Sequence, residues 1–137
     1  MATFNKFNSF VEAVAEKVHN LGADQLVVAL CAAANAPVAT NTKLSDLTEI
    51  SYTNLSSRNV TTSSSAQSSG TYKLVCADLV LTASDTVATF RYVVLYNDTA
   101  TNDELIGWYD YGSNVSMVAS DTFTVDFDGT NGVLTLA

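Results

Sequence analysis

The sequence predicts a mainly β protein: an antiparallel β-sandwich or jelly-roll-like domain with one N-terminal α-helix. Short segments with alternating apolar and polar residues recur after residue 24, as in 123–127, where Phe and Val face one way and Thr and Asp the other. Only the first 21 residues carry an apolar stripe at three- and four-residue spacing. Charged residues make up only 15% of the chain, and its many Ser, Thr and Asn residues favour strands and turns over helices.

The chain is expected to form a single domain spanning residues 1–137. A chain of 137 residues buries roughly two-thirds of its unfolded surface when it folds as one unit. No internal repeat and no Pro- or Gly-rich linker divides it. We therefore expect residues 1–22 to form a helix or arm and residues 24–137 to form the β-sandwich.

The predicted helix spans residues 4–21, with Thr3 as its N-cap and Gly22 as its stop. One interpretation is a helix that lies over one face or end of a sheet. The other is an arm that packs on a neighbouring subunit, because a terminal segment has to bury its aromatic residues somewhere. Three phenylalanines make the arm worth testing: Phe4, Phe7 and Phe10.

The remaining elements are predicted as strands and loops. The continuously apolar run 25–34 predicts a fully buried strand that Pro37 ends. Segment 43–50 fits either a short strand or one helical turn, 53–59 is expected as a loop, and 60–69 as a weak or edge strand. Further strands are predicted over these segments: 72–83, 88–97, 105–111, 115–118, 123–127 and 133–137.

Two details of the strand prediction concern partners and faces. The strand over 72–83 is expected to run without a break, which puts Val75 and Leu81 on one face and Cys76 on the other. The loop 128–132 reads Asp-Gly-Thr-Asn-Gly, and these residues tolerate positive φ. It predicts that the last two strands form a hairpin.

The charge of the chain disfavours nucleic acids and anionic membranes as partners. The net charge is −8, and the six Lys and Arg residues are scattered without a basic patch. No apolar segment reaches the roughly 18–20 residues of a membrane span. The run 26–34 resembles a signal-peptide core, but Glu12, Glu16 and Asp24 precede it, so synthesis in the cytoplasm without a targeting signal is expected.

Neither cysteine nor the single histidine predicts a catalytic or metal site. Cys31 and Cys76 lie in apolar runs and are expected as buried free thiols rather than as a bridge. His19 lies near the end of the predicted helix, where a cation has an ordinary electrostatic role. No nucleophile accompanies it, so we predict no catalytic residue.

Side chains with oxygen ligands gather around the last loop, namely the acids Asp121, Asp126 and Asp128 and the amide Asn131. The segment 126–129 weakly resembles a calcium loop. Further oxygen ligands in register and a bidentate Glu at the twelfth position are missing. A solvated turn is therefore the expectation, with calcium as the alternative, and no metal or cofactor is predicted.

A second acidic group lies in the turn after residue 97: Asp98, Asp103 and Glu104. Two carboxylates facing each other across a cleft perform glycoside hydrolysis, so a small hydrolase is an alternative function. Exposed turn acids are common on an acidic protein. The sequence therefore predicts that the protein is not an enzyme.

The aromatic residues of the 105–111 strand divide between its two faces. Tyr109 and Tyr111 are expected on one face and Trp108 on the other. Packing in the core and at a subunit interface is the expected role. A stacking platform for sugars is the alternative.

The ends of the chain resemble a family of small proteins encoded among tailed-bacteriophage structural genes. The likeness lies in the opening Met-Ala-Thr-Phe-Asn-Lys-Phe-Asn-Ser-Phe-Val-Glu, in Leu-Ile-Gly-Trp-Tyr-Asp-Tyr-Gly at 105–112, and in the segment 123–136. The resemblance implies a virion component, most like a capsid decoration (cement) protein on the outer capsid surface. Such proteins are commonly small β-sandwiches or jelly rolls that form trimers and bridge neighbouring capsomers.

The resemblance therefore implies a non-enzymatic protein whose partners are the major capsid protein and further copies of itself, with a homotrimer favoured. The Ser/Thr-rich segment 51–70 is one expected contact region. The individual interface candidates are Phe4, Phe7, Phe10, Trp108, Tyr109 and Tyr111. The alternative is a phage tail or fibre component that binds carbohydrate through Trp108 and the tyrosines.

Overall fold

The computed structural model describes residues 2–137 and confirms a mainly β, antiparallel architecture with one α-helix, α1, at Ser9–Ala15. Two short 3-10 helices cover Ala33–Asn35 and Leu44–Asp46. No helix in this part of the chain has the length and hydropathy of a membrane span. The strands are β1 (Asn5–Lys6), β2 (Leu26–Cys31), β3 (Asn59–Val60), β4 (Thr62–Ser68), β5 (Thr71–Cys76), β6 (Leu79–Thr82), β7 (Val87–Asn97), β8 (Leu105–Met117), β9 (Thr122–Val125) and β10 (Leu134–Leu136).

The strands form three sheets in which every pair is antiparallel. The largest, the central sheet, has the order β1-β8-β7-β2-β3. A three-stranded sheet has the order β10-β5-β4, and β6 pairs with β9 in a third. The two longest strands, β7 and β8, lie side by side in the central sheet and meet, for example, at Val93 and Tyr109. The sandwich or jelly-roll arrangement of these sheets stays a prediction.

The central sheet separates two apolar clusters. In β2, alternate residues such as Val28 and Leu30 enter the main core, which also receives side chains from β5, β6 and β9. The intervening residues, such as Ala29, enter a smaller core covered by Phe7 and Leu44. All six residues of β2 are buried. The apolar run at 25–34 is thus confirmed as a fully buried strand, though the strand itself is shorter.

The prediction of a helix over 4–21 is wrong in its extent. Residues 5 and 6 instead form β1, which pairs with Trp108 and Gly107 of β8. The helix is seven residues long, its N-cap is Asn8 rather than Thr3, and its last turn closes at Glu16 rather than at Gly22. Pairing with β8 stabilises an extended start of the chain, and tertiary contacts of this kind override a helical pattern.

The predicted C-terminal hairpin is also wrong. β9 pairs with β6, where Val125 lies opposite Leu79, and β10 pairs with β5, where Leu134 lies opposite Leu74. The loop 128–132 therefore links two sheets. Its residues do make a turn, with Gly132 at a φ of 83°. Turn residues indicate a change of direction, but they do not identify the strand that receives the chain next.

The predicted strand 72–83 divides into β5 and β6. Ala77 and Asp78 interrupt the strand, so the alternation of side chains between the two faces starts again at Leu79. Cys76 and Leu81 are therefore both buried, although an unbroken strand would put them on opposite faces. In contrast, the predicted strands 105–111 and 115–118 join into the single strand β8.

The two cysteines are confirmed as free and buried. Cys31 belongs to the smaller core and Cys76 to the main core. Burial raises the pKa of each thiol to about 11. Both side chains are therefore protonated, apolar core residues near neutral pH.

The predicted role of His19 as a cation at a helix end is wrong. His19 lies beyond the end of α1 and is 7% exposed, with its ring beside Phe10 at a centroid distance of 5.4 Å. Burial lowers the pKa of His19, against the opposing attraction of Glu104 and Asp24. The imidazole is therefore neutral near pH 7 and makes polar contacts inside the fold.

Candidate functional site

The candidate site is a small apolar groove between β8 and β9, which we call the aromatic groove. Its volume is about 180 Å³. Within residues 2–137, β8 has a second neighbour only at Gly107 and Trp108, where β1 pairs, and β9 has a single neighbour, β6. Two open strand edges thus accompany a groove lined by Ala2, Val93, Tyr109, Tyr111, Phe123, Thr124, Val125 and Asp126.

A row of aromatic rings leads from the core to this groove. Tyr109 packs in the main core beside Phe4, at 5.3 Å between ring centroids, and Phe127, at 6.3 Å. Two residues further along the same face of β8, Tyr111 is 54% exposed and meets the edge of Phe123 at 5.2 Å. Alternation along one strand therefore carries an aromatic surface from the interior to solvent.

The backbone under the exposed end of the groove is braced by an ion pair between β7 and β8. Arg91 binds the Asp110 carboxylate through two nitrogens, at 2.8 and 3.0 Å. Asp110 also accepts a hydrogen bond from the backbone N–H of Gly112 at 2.8 Å. The Arg91 guanidinium, and next the Gly112 N–H, lower the pKa of Asp110. Gly112 has a φ of 91°, a conformation that favours glycine.

Two of the N-terminal interface candidates are core residues of this chain. Phe7 is fully buried, and its ring packs on Trp108 at 4.6 Å. Phe10 is 1% exposed and lies in the main core. Phe4 is half-buried against Tyr109. Neither Phe7 nor Phe10 presents surface to a partner in this fold, because β1 holds the start of the chain against the central sheet.

The predicted division of aromatic residues between the faces of β8 is confirmed. Trp108 packs with the smaller core, and Tyr109 packs with the main core. Trp108 and Tyr111 therefore lie on opposite faces of the sheet and do not form one stacking platform. Among the six candidates, Tyr111 is the one that is largely exposed.

The acidic residues of the last loop bind its own backbone. Asp128 accepts hydrogen bonds from the N–H groups of Asn131 at 2.7 Å and Thr130 at 2.9 Å. The Asn131 backbone bond, the Asn131 side chain and the Thr130 bond together lower the pKa of Asp128. Asp121 similarly accepts from the N–H of Val118 at 2.9 Å. In the described part of the chain, no group of three His, Cys, Asp or Glu side chains is placed to hold a metal ion.

The acids of the 97–104 turn are close enough to affect one another. Burial, and then repulsion from Asp98 and Glu104, raises the pKa of Asp103. Glu104 accepts hydrogen bonds from the backbone and side-chain nitrogens of Asn102, both at 3.2 Å. These contacts hold the turn in place. Two of these acids also share a groove with a carboxylate from elsewhere in the chain, because Asp103 lines one groove with Glu49 and Glu104 lines another with Asp24.

Two structural features were not predicted from the sequence. In the aromatic groove, Phe123 approaches Tyr111, which depends on how the sheets pack together. Away from it, the buried Asn97, the last residue of β7, donates hydrogen bonds from its amide nitrogen to Asp24 Oδ2 at 2.6 Å and to His19 Nδ1 at 3.0 Å. An asparagine that ends the apolar run 93–96 was the available signal, since asparagine is typical of the start of a turn.

Comparisons with protein-family models, curated proteins and solved structures find no match to this chain.

Proposed function

We propose that this chain is a non-enzymatic structural protein of a tailed-bacteriophage virion, a decoration protein that binds the major capsid protein on the outer surface of the head. The observation that carries the proposal is the aromatic groove, where Tyr111 is exposed over Phe123 beside two open strand edges. The resemblance of residues 105–112 and 123–136 to phage structural proteins supplies the biological context.

The chemistry of the groove suits a protein segment better than a small polar molecule. An extended segment that lies along β8 would pair with its unpaired N–H and C=O groups, as in β-strand addition. A side chain of that segment would enter the groove between Tyr111 and Phe123. Tyrosine is enriched at protein interfaces because its ring buries apolar surface and its hydroxyl stays hydrated.

We further propose that the three sheets form a sandwich and that the protein acts as a homotrimer. The main core supports the sandwich, because it joins side chains of the central sheet to side chains of both smaller sheets. A closed trimer would present three copies of the aromatic groove to the capsid. Several weak contacts made together would give firm attachment without a large interface on each subunit.

The test uses heads of the encoding phage assembled without this protein. Purified protein is added, and binding is measured by co-sedimentation. We expect saturable binding that Tyr111→Ser abolishes. The matched control is Val38→Ser, because Val38 is 52% exposed and does not line the groove. Equal binding by wild type and Tyr111→Ser, or no binding at all, would overturn the proposal.

Location and oligomeric state need two further measurements. Immunogold labelling of intact particles is expected to mark the whole head surface. Label confined to tails would instead support the tail or fibre alternative. Native mass spectrometry is expected to give a trimer, and a monomer at assembly concentration would contradict the trimeric arrangement.

A further inference from the structure

The loop 128–132, which links β9 to β10, contains the only asparagine of the chain that is followed by a glycine, Asn131. Asn131 is exposed, and Gly132 is half-buried. In such a pair the backbone nitrogen of the glycine can attack the side-chain carbonyl carbon of the asparagine, because glycine has no Cβ to hinder the approach. The two residues therefore hold both reacting groups of a spontaneous deamidation.

The reaction needs only hydroxide as the base and water as the co-reactant. The nitrogen of Gly132 loses its proton and forms a bond to Cγ of Asn131, while the bond from Cγ to Nδ2 breaks and Nδ2 leaves as ammonia. Water then adds to one of the two carbonyl carbons of the cyclic imide and opens the ring. One opening gives aspartate, and the other gives isoaspartate, in which the main chain runs through the former side chain. The balance is one water consumed and one ammonia released.

In the folded loop, Asp128 engages both reacting groups. The N–H of Gly132 donates to the backbone carbonyl oxygen of Asp128 at 2.9 Å, and Nδ2 of Asn131 donates to carboxylate Oδ2 at 2.9 Å. The other carboxylate oxygen, Oδ1, accepts from the backbone N–H groups of Asn131 at 2.7 Å and Thr130 at 2.9 Å. The nucleophile and the leaving group are thus both hydrogen-bonded, so the loop has to open before they can react.

The fold requires the glycine that makes this pair reactive. Gly132 has a φ of 83°, and a Cβ at this position would lie 2.6 Å from the carbonyl oxygen of Leu74. Protection of Asn131 therefore has to come from hydrogen bonds rather than from a bulkier neighbour. Bonds to a carboxylate are among the stronger ones, and Lys73 also donates to the carbonyl oxygen of Thr130 at 2.9 Å.

We propose that Asn131 is a deamidation site that the fold keeps unreactive, with Asp128 as the positioning residue that holds the loop closed. When the loop opens, the reaction proceeds and its product prevents closure. A carboxylate at position 131 would face that of Asp128, and the two like charges repel. Isoaspartate would also lengthen the main chain just before Val133, whose N–H donates to Leu74 at 2.7 Å. Deamidation thus acts as a one-way release of β10 from β5.

This proposal does not depend on the proposed capsid attachment, because no residue of the loop 128–132 lines the aromatic groove. The test measures the deamidation rate of Asn131 in the full chain. Native protein and protein unfolded in guanidinium chloride are incubated side by side at neutral pH, and mass spectrometry quantifies the aspartate and isoaspartate peptides. We expect the native protein to react at least roughly tenfold more slowly, because its loop has to open first.

Two variants test the role of Asp128. Asp128→Ala removes three hydrogen bonds and should speed the native reaction roughly tenfold. In the unfolded chain it should react as wild type does, which a direct chemical effect of the carboxylate would not allow. Asp128→Asn keeps an acceptor oxygen and should react at an intermediate rate. The matched control is Asp121→Ala, which removes the same charge from another turn and should keep the wild-type rate.

The product is tested with Asn131→Asp. We expect faster hydrogen exchange of the Val133 N–H, which bonds to Leu74 at the start of the β10 pairing. The matched control is Asn59→Asp, which adds the same charge at an exposed asparagine of β3 and should leave this exchange unchanged.

Several results would overturn the proposal. One is an equal reaction rate in native and unfolded protein, a comparison that needs no variant to fold. Another is a wild-type rate in native Asp128→Ala and Asp128→Asn. Unchanged exchange of Val133 in Asn131→Asp would reject the release of β10, and an unreactive Asn131 in the unfolded chain would reject the site itself.

Discussion

The two halves of β8 differ although they belong to one strand. At its start, Leu105, Ile106 and Gly107 are buried, β1 pairs along the edge, and Phe7 covers one face. From Tyr109 onward no strand among residues 2–137 pairs along this edge, and the residues from Tyr111 to Asn114 are exposed. Strand pairing makes the difference, because β1 pairs with β8 only at Gly107 and Trp108.

This contrast explains why the phenylalanines and tyrosines of the chain have different roles. Phe7 and Phe10 are buried in the two apolar clusters, Phe7 in the smaller core and Phe10 in the main core. Tyr111 lies just beyond the covered part, and its exposure leaves an aromatic surface for a partner. The covered part of β8 supports the fold, and the uncovered part is the surface that we propose binds a partner.

The largest expected effect on stability is at the covered half of β8, where Phe7 packs on Trp108. Phe7→Ala removes a fully buried ring from the smaller core and should lower the free energy of unfolding by about 3–5 kcal/mol. Chemical denaturation measures this change. Val11→Ala is the control, because Val11 is 50% exposed on α1 and should change stability by less than about 0.5 kcal/mol. If Phe7→Ala lowers the free energy of unfolding as little as Val11→Ala does, the N-terminal segment does not stabilise the central sheet by covering it.

A smaller effect is expected where β1 approaches β8. The added Cβ of Gly107→Ala would lie 2.7 Å from the Asn5 carbonyl oxygen and would also meet the Phe4 ring. We expect a loss of about 1–3 kcal/mol and faster hydrogen exchange in β1. Gly129→Ala is the control, because its Cβ meets open space. Unchanged exchange in β1 would contradict the close approach of the two strands.

Burial of His19 should make the stability of the protein depend on pH. Burial lowers the folded-state pKa of His19 below its usual value of about 6.5. The unfolded chain therefore binds the extra proton first, so the His19 contribution is complete above about pH 6.5 and declines as the pH falls below it. Glu104 and Asp24 are the charged groups that act on this ring, and both oppose the effect of burial.

Thermal unfolding measured across this pH range checks the dependence. His19 is the only histidine in the chain, so His19→Gln should flatten the profile just below pH 6.5. The same decline in wild type and in His19→Gln would mean that other groups cause it. A rise in stability as the pH falls would contradict the sign.

The smallest effect on stability is expected in the uncovered half of β8, at Tyr111. Tyr111→Ser should lower the free energy of unfolding by about 1 kcal/mol or less, because the side chain is more than half exposed and its edge contact with Phe123 is the main one lost. Capsid binding should nevertheless be lost. Large destabilisation in the same denaturation assay would mean that Tyr111 supports the fold rather than a partner.

Local patterns predicted three strands of the central sheet, β2, β7 and β8, but not β1 and not the pairing partners of the later strands. The apolar run of β2 and the alternation in β7 and β8 identify these strands because burial imposes the period directly. The partners of β9 and β10 depend on how the sheets pack, and loop residues do not encode that. The predicted helix was too long because its first residues instead form β1, which pairs with a strand about 100 residues away (Asn5 lies opposite Trp108).

The candidate sites show the same limit. Tyr111 was identified from alternation within one strand. Its contact with Phe123 joins two sheets, and the contact of His19 with Asn97 joins residues 78 positions apart. Such contacts leave no periodic signal in a single sequence.

The separate burial of Cys31 and Cys76 gives each apolar cluster its own chemical reporter. Burial raises the pKa of each thiol to about 11 and also excludes the reagent, so neither thiol reacts readily until its cluster opens. Alkylation of Cys31 would therefore time the opening of the smaller cluster, and alkylation of Cys76 that of the larger one. Mass spectrometry of the two modified peptides would show whether the smaller cluster, which Phe7 and Leu44 cover, opens before the rest of the molecule unfolds.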